Sequence, residues 1–106
     1  MSAPILHRPR VAWDAALTVI AAAEAGDATF AWFAAEVERL LGTPYAQALS
    51  DSRRLLWNAD RPDVANVEAG KWRFRLDDVL AARPGLTAAL HTLTIEANRR
   101  LAGPLP

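Results

Sequence analysis

No cysteine occurs in the 106 residues, which excludes a disulfide framework and any thiolate metal site. The two histidines, His7 and His91, stand far apart in the chain and cannot by themselves supply the nitrogen ligands of a structural zinc. No run approaches the roughly 18 apolar residues that a membrane span needs. Residues 1–10 carry His7, Arg8 and Arg10 with no apolar leader segment ahead of them, so the expected location is the cytoplasm. Glycine-rich phosphate loops and Ser/His/Asp or Cys/His groupings are missing too. No metal, cofactor, membrane contact or catalytic role is therefore expected. Lysine is nearly absent, one against eleven arginines, which together with abundant alanine points to a GC-rich genome rather than to a function.

What the chain does have is apolar material. Hydrophobic residues make up 52%, with four Trp, three Phe and one Tyr, and 12 basic residues balance 12 acidic ones. A disordered chain could not carry this content, and the length suits one domain. That domain is expected over 1–106, with an arm at 1–10, a core at 11–76, C-terminal helices at 77–101 and a tail at 102–106.

Trp13, Leu17, Ile20 and Ala21 recur at helical spacing and predict a first amphipathic helix. Gly26 is expected to end it in the left-handed conformation. Asp27 is placed to cap a second helix carrying Phe30, Phe33, Ala34, Val37, Leu40 and Leu41 on one face. After Gly42, the Thr43 hydroxyl and Pro44 are the expected start of a third helix running to Trp57. It should bury Tyr45, Leu49, Ser52 and Leu56, with help from Ala48 and Leu55, and expose Gln47, Asp51, Arg53 and Arg54.

The turn formers at 58–63 interrupt the helical period. Beyond them, Trp72, Phe74 and Leu76 alternate with Lys71, Arg73 and Arg75, the period of a half-buried strand. With Val64–Val67 as its mate and Glu68-Ala69-Gly70 as its turn, this predicts a β-hairpin. A short helical turn capped by Asp77 or Asp78 follows, broken before Pro84. The last helix bears Leu86, Leu90, Leu93, Ala97 and Leu101 as an apolar stripe.

Charge is neutral in total but uneven along the chain: residues 11–52 sum to minus five and residues 53–75 to plus three. A basic stretch made of one helix and one hairpin is the footprint of a nucleic-acid binder. Three helices joined by Leu41-Gly42-Thr43-Pro44 and followed by a hairpin, with Ala48 to Leu56 and Gly70 to Val79 as the closest passages, resemble the winged-helix DNA-binding superfamily over about residues 11–76. The resemblance implies a mainly α fold: a three-helix winged-helix-like core, one β-hairpin and a C-terminal amphipathic helix. It further implies a small bacterial transcription regulator, acting as a homodimer on duplex DNA. Gln47, Ser50, Arg53 and Arg54 would then face the major groove, and Lys71, Arg73 and Arg75 would line the wing.

A second reading stands beside it. Trp32 lies off its helix's apolar stripe, and Trp is enriched at binding hot spots. Together with Leu86, Leu90 and Leu93 it could dock on a larger protein assembly. The chain would then be an inhibitor, adaptor or small subunit, with a phage or mobile-element origin among the options.

Overall fold

Five alanines decide the centre of the fold. Ala12, Ala15, Ala16, Ala22 and Ala23 are all buried on the first helix, α1 (Arg8–Ala23), beside Val11 and Val19. Alanine has the highest helix propensity, and its methyl lets neighbouring axes approach closely. α1 accordingly packs against α4, α5 and α3 at once. The expected inner stripe is turned around: Trp13, Leu17 and Ala21 are exposed, and only Ile20 of that set is buried. A helix enclosed on several sides has room for small side chains, so the large ones face out.

The computed structural model describes residues 6–103, so the first five residues of the expected arm and the last three of the tail lie outside it. Helix α1 begins at Arg8, inside the stretch expected to be an arm, with Pro9 in its first turn where a missing N–H is harmless. Then follow α2 (Asp27–Leu41), α3 (Thr43–Trp57), α4 (Val64–Ala82), a single 3-10 turn at Pro84–Leu86, and α5 (Thr87–Leu101).

The two early helix boundaries differ from expectation in their chemistry. Gly26 is extended, at φ −65° and ψ 164°, rather than left-handed, and it is the N-cap of α2. Gly42 caps the start of α3, and neither Asp27 nor Thr43 makes a side-chain cap hydrogen bond. Gly42 sits at φ +105°, a region closed to most side chains, which allows α2 to end and α3 to begin one residue later.

The stripes of α2, α3 and α5 lie where the periodicity places them. Phe33, Val37 and Leu41 are buried, as are Leu49 and Ser52, and Leu90, Leu93 and Ala97. Leu86 of the 3-10 turn packs half-buried against them.

The β-hairpin is not there. Among the described residues there is no strand, and 64–82 is one helix of 19 residues. Glu68 and Ala69, read as a turn, are buried with Trp72, Leu76, Val79 and Leu80 on the inner face of α4. Trp72 and Leu76 satisfy both a strand's period and a helix's i, i+4 spacing. Phe74 alone separates the two, and it points outward at 74% exposure. The longer run decides for the helix: Glu68, Ala69, Trp72, Leu76, Val79 and Leu80 keep helical spacing over more than three turns. A wing-and-groove architecture is thereby excluded, and what remains of the expected fold is its mainly α character.

Gly70 lies in the interior of α4, and a methyl built on it meets nothing within 4 Å. Gly70→Ala should therefore raise the unfolding free energy by about 1 kcal/mol, measured by urea denaturation in dilute solution.

Candidate interaction surface

The basic residues of 53–75 are dispersed by the helices that carry them. Arg53 is turned inward, its side chain 16% exposed. Its Nη1 donates to the carbonyls of Ala23 (3.1 Å) and Ala25 (2.9 Å), and its Nη2 donates to Asp27 Oδ1 at 2.7 Å. The Ala23 carbonyl ends α1, where no intrahelical donor remains, and the Ala25 carbonyl lies in the turn that follows. The guanidinium lies 4.3 Å from the centroid of Phe30 and 4.8 Å from that of Trp57, a cation–π arrangement. Trp57 Nε1 donates to the Ala23 carbonyl at 2.9 Å. Arg53 is a cap for α1, not a groove-facing residue. Nothing local to its own helix announces this, because its acceptors lie 28 and 30 positions away.

Gln47, Ser50 and Arg54 are exposed on α3, with Arg54 donating to Asp51 Oδ1 at 2.6 Å. Lys71 pairs with Glu68 Oε2 at 2.9 Å. Arg75 is half-buried, its guanidinium 5.2 Å from the Trp72 ring, and its Nη1 is buried with no hydrogen-bond partner among the described residues. Arg73 is exposed and has no ion-pair partner among the described residues.

Lys71 belongs to a buried polar chain that sequence reading missed. Trp72 Nε1 donates to Ser52 Oγ at 2.8 Å, and the Ser52 hydroxyl donates to Glu68 Oε1 at 2.8 Å. All three residues are buried. Burial alone would push the Glu68 carboxyl up, but the hydrogen bonds from Lys71 and Ser52 and the positive charges of Lys71 and Arg75 outweigh it. The carboxyl is held below its ordinary value.

The second set of candidates is distributed between core and flank. Leu90 and Leu93 are buried, and Leu86 is half-buried. Trp32 is half-buried between α2 and α5, its ring covered by the Arg100 guanidinium at 4.0 Å. Leu86 and Leu90 pack between helices, while Trp32 and Leu93 also line an open groove between α2 and α5 with Leu40 and Ala89. Other large apolar side chains stand exposed: Trp13, Leu17 and Ile95 around α1 and α5, Leu55 and Trp57 on α3, and Val67 and Phe74 on α4. Leu17, Ala21 and Ile95 line an open groove between α1 and α5 with Asp14, His91 and Asn98 at its edges.

The outer face of α4 carries the most exposed of these side chains, Phe74. At about 100° per residue, Val67, Gly70, Phe74 and Ala81 fall on one line opposite Trp72 and Leu76. Lys71 and Asp78 lie on one flank of Phe74, and Arg73 and Asp77 on the other. Asp77 accepts from Arg8 Nε at 3.0 Å, and Pro9, Arg73, Phe74 and Asp77 share a shallow concavity. Among the described residues no three His, Asp or Glu side chains converge as a metal site would need, and no helix is long and apolar enough to cross a membrane.

A carboxyl held low in the folded state stabilises the fold fully above its unfolded pKa and loses that contribution as pH falls through the native value. Wild-type stability should thus decline on acidification below the ordinary value of 4.5, and Glu68→Gln should flatten this part of the profile. Ser52→Ala leaves the Trp72 N–H without an acceptor and should cost about 1–3 kcal/mol by urea denaturation at neutral pH.

No protein-family model matches the chain, and comparison with curated proteins and with solved structures finds no match.

Proposed function

We propose that this chain is a protein-interaction module that docks through the outer face of α4. The observation that carries the reading is Phe74, an aromatic ring 74% exposed at the middle of a 19-residue helix, between charged flanks of both signs. With the exposed Val67 on the same helix face it makes an apolar patch rimmed by charge, the pattern of a docking surface. Duplex DNA fits this surface less well. Arg53 is committed to the end of α1, and Asp77 and Asp78 stand where phosphates would have to approach.

Anisotropy of labelled random duplex DNA, titrated at about 50 and 200 mM salt, tests the reading. The expected result is no saturable binding at the lower salt. Tight, salt-steep binding that Arg73→Ala weakens would overturn it. Conversely, cross-linking in an extract of the native host should give conjugates with the wild-type chain that Phe74→Asp lacks, while both chains keep the same helical circular dichroism.

A further inference from the structure

We infer that the occupant of the α4 face is a second copy of this chain, paired antiparallel about a two-fold axis that passes beside Phe74. The inference rests on the interaction-module reading and names its partner. It is carried by the order of charges along one exposed helix face: Lys71 and Arg73 precede Phe74, and Asp77 and Asp78 follow it. When two copies of a helix pair antiparallel about a two-fold axis, residues on one flank meet residues on the same flank of the other copy, with their order reversed.

With the crossing point between Phe74 and Arg75, Lys71 stands level with Asp78 of the second copy, and Arg73 stands within one residue of Asp77 of the second copy. The rise of about 1.5 Å per residue makes that offset trivial for an arginine. The two Phe74 rings lie side by side at the crossing, and Val67 meets Ala81 of the second copy. Gly70, whose outer side is open space, leaves room beside the ring for close approach of the second helix.

Lys71 pairs with Glu68 through one N–H and keeps its other ammonium donors, half-exposed, for Asp78 of the second copy. Among the described residues Arg73 and Asp78 have no ion-pair partner. Asp77 engages Arg8 through Oδ1, so its second oxygen can accept from Arg73 of the second copy. A parallel pairing would bring opposite flanks together at the same level, Lys71 beside Arg73 of the second copy and Asp78 beside its Asp77, which like-charge repulsion opposes. The charge order therefore selects the antiparallel arrangement. One helix pair buries less than a standard stable interface, so the expected dissociation constant is micromolar rather than nanomolar.

Sedimentation velocity of the full chain, from micromolar to near-millimolar concentration, is the test. The expected result is a monomer–dimer equilibrium that Phe74→Asp abolishes without changing helical circular dichroism. The Arg73→Asp and the Asp77→Arg chains should each self-associate roughly tenfold or more weakly, and an equimolar mixture of the two should form a heterodimer tighter than either homodimer. That rescue requires the antiparallel register, because the loss of the Arg8–Asp77 pair in the second chain is not restored by mixing. A wild-type chain that stays monomeric throughout, or a mixture that shows no rescue, overturns the inference. If such a monomer still gives Phe74-dependent conjugates with other proteins, the interaction-module reading survives; if it binds DNA with a steep salt dependence, both fall.

Discussion

One buried serine hydroxyl fixes α4 against α3. Ser52 Oγ accepts from Trp72 Nε1 and donates to Glu68 Oε1, both at 2.8 Å, so it joins α3 to α4 at two points one helical turn apart. A buried polar group without its partner is costly, and here each member supplies what the next one needs. Slipping α4 by one residue would rotate its side chains by about 100°, withdrawing the indole and the carboxylate together. The register of α4 is thus set by geometry that apolar packing alone would leave loose. Its outer face follows from the same constraint: Phe74 lies two residues from Trp72, about 200° around the axis, so a fixed Trp72 fixes an exposed Phe74.

Three of the five helices are legible in the sequence because large side chains at three- and four-residue spacing mark the inner face of each. Phe33, Val37 and Leu41 on α2 are the clearest instance, with Leu90, Leu93 and Ala97 on α5 close behind. The reasoning inverts on α1. There the buried face consists of alanines and valines, since enclosure by several helices selects volume before hydrophobicity, while the visible Trp13 and Leu17 lie outside. On α4 the six residues from Lys71 to Leu76 fit two periods equally well. Only the longer run from Glu68 to Leu80, with Trp72, Leu76, Val79 and Leu80 in phase, identifies the helix. A local pattern shorter than two turns cannot arbitrate between 2.0 and 3.6.

The basic stretch at 53–75 shows why charge summed along a chain says little about charge on a surface. In a hairpin, alternate arginines would form one row; in a helix they are separated by about 200°. Lys71, Arg73 and Arg75 accordingly reach a buried carboxylate, the outer flank and an indole face. Arg53 goes to yet another place, the carbonyls that end α1. The candidate surface is legible only in part: its charged members stand out as Lys71, Arg73 and the pair Asp77-Asp78, but Phe74 at its centre reads as the apolar side of a half-buried strand.

Three local rules are broken on the outer face of α4, and they are broken together. Glycine sits in a helix interior, where it costs about 1 kcal/mol relative to alanine. An aromatic ring stands in solvent. Base precedes acid along the helix, the less favourable order for pairs four apart, and Arg73 leaves Asp77 to Arg8. Each feature weakens the isolated chain or fails to help it, whereas the inner face of the same helix satisfies every buried group except one arginine nitrogen. Sequences are consistent across levels where folding alone shapes them, and inconsistencies concentrate where another demand acts. Against an antiparallel copy, the glycine becomes clearance, the ring becomes the contact, and the unfavourable order becomes the order that pairs.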